Sequence, residues 1–311
     1  MKTLGITDRD NVLVVAHDAG GANILAHLVK ANQLECGFSL SGPAVNIFNE
    51  VFSREFVSKH AREFDSSFSV ILTGSSVLSD FEWNIMKEAA GLDICVVSFL
   101  DNWTNYRERF IRQGVTIEPA KIVVGDPHAR ALARDLFPDI TVIQIDNPYT
   151  EYILGGLKVL VENAVQDRVL FRYPELVENV LYVSEPAGSL ALNEDKVKGI
   201  RGYTEFDALL HFLNNAKTVF PKLQHIRLRV HPSESKSKYD SVIAAQVSDA
   251  VTVSTGTLYA DLIDVDAVVG THSNVLALAL LAGITSVSAI PPGGICCQLP
   301  HEGILKFDDL M

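Results

Sequence analysis

The chain has 311 residues, 48% of them hydrophobic and 21% charged, a composition that fits a folded protein large enough for two domains and excludes extensive disorder. Its formal charge of −12 leaves no basic surface for a nucleic-acid partner, so an anionic small ligand would need a local positive pocket. No apolar run reaches membrane-spanning length and the opening MKTLGITDRDNVLVVAHD lacks the apolar core of a signal peptide, so a cytoplasmic protein is expected.

In chain order, Val12 to Ala16 is a β-branched apolar run, followed by Gly20-Gly21 and a helix with Ile24, Leu25 and Leu28 at helical spacing. This is the opening βα unit of a doubly wound sheet, with Gly20 and Gly21 expected in the turn and His17 and Asp18 at the strand end. The glycine pair lacks the GxGxxG spacing of a dinucleotide site. SVILTGSS (69–76) predicts a second buried strand, and SDFEWNIMKEAAGL a helix opened by a capping box from Ser79 to Glu82. Cys95 to Leu100 predicts a strand that delivers Asp101, Asn102 and Trp103 to its exit. Ile122 to Val124, a helix from Pro127 to before Pro138, and the strand in ITVIQIDNPY continue the alternation.

Residues 151–178 are read as a helical linker between a first domain at 1–150 and a second at 179–295, with 296–311 as a tail that packs back on the first. The second series begins with NVLYVSEP, continues through an amphipathic helix carrying Phe206, Leu209, Leu210 and Leu213, and reaches HIRLRVHP, whose strand end presents Arg229, His231 and Pro232. A strand at Val251 to Val253 and a helix at Leu258 to Ile263 follow. The most informative stretch comes next: a buried strand at Val265 to Val269, the turn Gly270-Thr271-His272-Ser273-Asn274, and an apolar helix closing on Gly283. Unpaired N–H groups and the positive end of the helix dipole make such a turn a ready phosphate site, with Thr271, Ser273 and Asn274 around it. Asp264-Val265-Asp266 imitates a metal-binding DxD motif but lies at the wrong end of its strand, so no metal is expected. The four cysteines show no zinc spacing and are read as free thiols.

Two tandem βα series, the glycine pair after the first strand, the Arg-x-His-Pro strand end and the Gly-Thr-x-Ser turn before ALALLAG together resemble the GT-B glycosyltransferases. The similarity is greatest to the bacterial sialyltransferase-like and capsule-polysaccharide enzymes. That resemblance implies two Rossmann-like doubly wound α/β domains facing across a cleft. It implies inverting, metal-independent sugar transfer from a nucleotide-activated donor to a glycan or glycolipid, with no cofactor, and peripheral association with the inner face of a membrane. It also implies that His231-Pro232, Thr271, Ser273 and Asn274 hold the nucleotide phosphate, and that Asp101 is the base, with Asp18 and His17 as rivals. Trp103 and Tyr106 would form a sugar platform, and Arg107 or Arg109 would pair with a substrate carboxylate. Many UDP-sugar enzymes of this type place a Glu in the helix after the Ser/Thr turn, where it binds the ribose hydroxyls. NVLALALLAG has none, which turns the expectation toward a CMP-linked nonulosonic acid or CDP-linked donor unless Glu185 substitutes. A UDP-sugar 2-epimerase or hydrolase of the same fold, and a non-catalytic nucleotide- or glycan-binding protein, are the alternatives.

Overall fold

The computed structural model describes residues 1–77, 79–164, 173–188, 201–245 and 251–311. Residues 165–172 of the expected linker lie outside the described residues. The chain divides into two compact units, Met1–Tyr152 and Ile153–Met311.

The first unit runs β1 (Val12–Ala16), α1 (Ala19–Asn32), β2 (Gly37–Leu40), α2 (Pro43–Val51), α3 (Arg54–His60), β3 (Val70–Thr73), α4 (Phe81–Ala89) and β4 (Cys95–Leu100). A small antiparallel hairpin, β5 (Ile111–Arg112) with β6 (Val115–Thr116), precedes β7 (Lys121–Val124), α5 (Pro127–Leu136) and β8 (Thr141–Gln144). The six long strands form a parallel sheet in the order β2-β1-β3-β4-β7-β8. All five residues of β1 are buried, because alternate side chains face opposite layers. Val12, Val14 and Ala16 pack in one apolar cluster with Ile24, Leu25 and Leu28 of α1, and Leu13 and Val15 in the other with Ile85 and Met86 of α4. The order reverses direction between β1 and β3, which is the place where a doubly wound sheet opens its crevice.

The helix α6 (Pro148–Ala164) leads into the second unit. There β9 (Asn179–Val183), α7 (Glu205–Val219), β10 (His225–Arg229), α8 (Asp240–Ala245), β11 (Val251–Val253), α9 (Leu258–Ile263), β12 (Ala267–Gly270), α10 (Asn274–Leu281), β13 (Thr285–Ser288) and β14 (Leu305–Lys306) follow. The strands are again parallel, ordered β11-β10-β9-β12-β13-β14, the classical dinucleotide-fold order with its switch point between β9 and β12. Thr204 and Asp207 form a reciprocal capping box that starts α7.

Three expectations are corrected. The tail at 296–311 completes the second sheet: β14 pairs with β13, and Phe307, 1% exposed, packs in that unit's core beside Phe212 and Phe220. Burial of a large aromatic ring fixes it there. Gly20 and Gly21 lie inside the first turn of α1, not in a loop before it. Glu82 caps no helix; Asp80 holds the N-cap position of α4, and the Glu82 carboxylate turns inward.

Candidate active site

Each sheet collects polar side chains at the carboxyl ends of its strands, and the two collections are described separately. In the second unit the key residues are the two that leave β9. Ser184 Oγ accepts the His231 N–H at 2.9 Å and donates to Glu234 at 3.0 Å, tying the β10 exit to β9. Glu185 turns the other way: its Oε2 accepts the Thr271 hydroxyl and the His272 N–H, the latter at 2.6 Å, tying the β12 exit to β9. His231 and the Thr271–Asn274 turn therefore flank one dipeptide at the switch point.

Arg201 completes this group, its Nη1 3.4 Å from Glu185 Oε1, with both side chains largely buried. Burial raises the Glu185 carboxyl pKa, but Arg201, the Thr271 hydroxyl and the His272 N–H outweigh it and hold the group below the usual carboxylate range. Glu185 is thus committed internally and does not stand free for a ribose. Thr271, 4% exposed, spends its hydroxyl on Glu185 and does not face outward. Ser273 caps α10 through the Val275 N–H, and Asn274 opens that helix half-buried. Among the described residues of α10, no acidic side chain stands in the first turn.

The Nδ1 of His231 accepts the Ser233 N–H at 3.2 Å and lies 2.7 Å from Ser233 Oγ. Assigned from that network, the neutral ring carries its proton on Nε2, as a donor. Pro232 beside it is exposed. Arg229 points away from the turn, to the Gly256 carbonyl at 2.9 Å and the buried Asp261 carboxylate at 2.8 Å, where Ser254 also donates. It fastens β10 to α9. Lys238 bridges Glu205 and Glu234, and Tyr239 donates to Glu234 at 3.0 Å, so a buried polar network backs the His231 turn.

His272 is 2% exposed. Burial and the nearby Arg201 push its pKa down to about 4, against the opposing pull of Glu185. The sign follows: between about 6.5 and about 4 an unfolded chain takes up a proton that the native ring refuses, so native stability is full above that window and falls through it on acidification. Thermal melts from pH 7 to 4 are expected to show this loss for the wild type and a flatter dependence for His272→Asn. An unchanged slope in the variant removes His272 as the cause.

In the first unit the β1 exit presents His17 and Asp18, both half-buried, with His17 Nδ1 2.8 Å from Asp18 Oδ1. Asp18 holds the N-cap position of α1 but caps nothing with its side chain. With Nδ1–H donated to Asp18, the Nε2 of His17 carries the ring's lone pair, has no hydrogen-bond partner among the described residues and lies against Gly42 at the β2 exit. Asp101, at the β4 exit, accepts from Arg109 at 2.7 Å. Arg109, 8% exposed, also donates to the Ser75 carbonyl at 2.6 Å, so it pairs inside the protein and not with a substrate. The Asp101 carboxylate fills the space a side chain at Gly20 would need: a Cβ there would stand 1.6 Å from Oδ2. Gly21 leaves room for Gly74 in the same way, a Cβ being 3.0 Å from the Gly74 Cα.

Trp103 donates its indole N–H to Asp126 at 2.9 Å and its backbone N–H to Asn102 at 2.6 Å. Tyr106 is 1% exposed in the apolar core, so it offers no platform. Arg107 lies over the Phe137 ring. Asp266 accepts the Glu178 and Asn179 N–H groups at 3.0 and 2.9 Å, a structural clasp at the amino end of β9. The cysteines are all free thiols, and burial pushes Cys36 up to about 12.

Sequence reasoning missed Ser184, Arg201 and, most of all, the inward carboxylate of Glu82. It lies with Ile85, Met86 and Ala89 on the buried stripe of α4, and a carboxylate in an i, i+3, i+4, i+7 apolar set is the signal that could have found it. Burial and then Asp18 push its pKa up to about 8, opposed by N–H bonds from His17 and Ser76 and reinforced by Asp101.

Neither family models nor curated proteins match this chain. Among solved structures, it is similar to one described as a UDP-N-acetylglucosamine 2-epimerase from Listeria monocytogenes, with a TM-score of 0.51 and 11% identity over 90% of this chain and 79% of that one. MurG of Acinetobacter baumannii matches at a TM-score of 0.41 and 13% identity over 92% and 80%, and the wall teichoic acid polymerase TagF at 0.45 and 10% over 90% and 70%. The first of these likenesses defines the fold class: two parallel-sheet α/β domains in tandem, of the GT-B kind.

Proposed function

We propose that this chain is a GT-B glycosyltransferase that moves a sugar from a nucleotide-activated donor to a hydroxyl of a glycan or glycolipid, by inversion and without a metal ion. The observation that carries the reading is the β9 exit, where Ser184 and Glu185 hold His231 on one side and the α10 turn on the other. His231 Nε2–H, Ser273 and the α10 N–H groups receive the leaving phosphate as its bond to the anomeric carbon breaks. To the first unit we assign the base: His17 Nε2 takes the acceptor's hydroxyl proton as the new glycosidic bond forms, with Asp18 orienting the ring. Asp101, held by Arg109 and wedged against Gly20, serves the architecture of α1 in this scheme and yields the base role to His17. The lack of an acid in the first turn of α10 and the commitment of Glu185 favour a CMP-linked donor over a UDP-sugar.

Thermal shift with CMP, CDP, UDP and their sugars tests this, since a ligand at a hundred times its Kd stabilises the native state by about 2.7 kcal/mol. CMP is expected to raise the melting temperature, and His231→Ala to abolish that rise. His17→Ala should abolish transfer while leaving CMP binding intact. Stabilisation by UDP alone would assign a 2-epimerase or hydrolase of the same fold, and stabilisation by no nucleotide would sink the enzymatic reading. Transfer lost in EDTA and restored by a divalent ion would overturn the metal-independent scheme.

A further inference from the structure

Glu82 joins the two strand exits that border the switch point of the first sheet. Its Oε1 accepts the His17 N–H at 2.9 Å and its Oε2 the Ser76 N–H at 3.0 Å, so a single carboxylate, 2% exposed, staples the β1 exit to the β3 exit. Gly74 must lack a side chain for this, because a Cβ there would stand 2.8 Å from Oε1. Among the described residues, the charged and titratable groups around it include Asp18 at the head of α1, Asp101 at the β4 exit, Arg109 bound to Asp101 and Ser75, the His17 ring bound to Asp18, and Arg112, which donates to the Ser76 carbonyl at 2.7 Å and pairs with Asp80.

We infer that Glu82 is a positioning residue for His17, its ionised form holding the β1 exit so that the imidazole stands ready to accept a proton. The inference rests on the reading of His17 under Proposed function. Only the carboxylate offers a full acceptor oxygen to each N–H; a proton on either oxygen leaves that end a poorer acceptor and weakens one of the two bonds. With the Glu82 pKa pushed to about 8, this change falls in the range where enzymes work. The staple then tightens as pH rises through that value, and transfer should accelerate with it.

The test pairs two measurements on the full-length chain, wild type, Glu82→Gln and Glu82→Asp. Histidine-selective NMR is expected to show the wild-type His17 ring responding to the Glu82 ionisation near pH 8, a step absent in Glu82→Gln and shifted in Glu82→Asp. In transfer assays Glu82→Gln should lose kcat by about tenfold or more with KM little changed, and should lose the alkaline rise. Glu82→Asp should recover part of it. A folded Glu82→Gln with the wild-type His17 response near pH 8 and the wild-type pH–rate profile overturns the inference, as does a wild-type His17 ring with no step near pH 8. The NMR step needs no substrate, so its presence in a protein without transferase activity would uphold the positioning role while removing the reading it rests on.

Discussion

Replacing Glu185 with Ala is expected to destabilise the second unit by roughly 3–5 kcal/mol, because it strands a largely buried Arg201 and releases the Thr271 hydroxyl and His272 N–H together. For a chain of this size that is a fall in melting temperature on the order of 10 °C. Glu185→Gln should cost less, since an amide oxygen can still accept one of the two bonds. The loss has a functional side, because the same carboxylate holds the α10 turn against β9. Nucleotide stabilisation of Glu185→Gln should therefore be weakened even where the protein remains folded. A Glu185→Ala variant that melts within about 1 kcal/mol of the wild type would show that the β12 exit is held by something else.

The second large effect is expected at Gly20. With 1.6 Å between a Cβ at this position and Asp101 Oδ2, Gly20→Ala must displace either the helix or the carboxylate. Overpacking of this kind costs about 1–3 kcal/mol, and more where neither side yields. The partner can be identified by a double-mutant cycle. Asp101→Ala alone leaves Arg109 without its ion pair, yet in the Gly20→Ala background it removes the two closest atoms and leaves only the Asp101 Cβ at 3.2 Å. The double variant should thus be more stable than the sum of the single losses predicts, by about 1 kcal/mol or more in urea unfolding. Additive losses would mean that the helix moves instead and that the Asp101 contact does not demand the glycine.

These two sites show what a sequence discloses and what it conceals. The parallel sheets were legible because buried strands such as β1, β4 and β9 are continuous apolar runs, and strand ends follow from where those runs stop. That placed His17, Asp18, Asp101, His231 and the Thr271 turn at strand exits. β2 escaped notice because only Phe38 of its four residues is buried, and β14 because it is two residues long. More important is which exit residues are already spoken for. Thr271 is engaged by a carboxylate 86 positions away and Arg109 by the Ser75 carbonyl 34 positions away, relations that no local pattern encodes. Residue type alone suggested ligand contact for Arg229 and Arg109; their partners Asp261 and Asp101 make them fasteners.

The contrast between Glu82 and His272 has a wider consequence. The carboxyl in the first sheet ionises near 8 where an unfolded one ionises near 4.5, so the desolvation it must overcome lowers native stability across that interval as pH rises, even though the ionised form makes the better staple. The imidazole in the second resists its proton down to about 4, so the loss there comes from acid. The two groups pull on stability in opposite directions, over intervals that overlap between about 4.5 and 6.5. Each unit then has its own pH dependence, and a single whole-chain midpoint would describe neither.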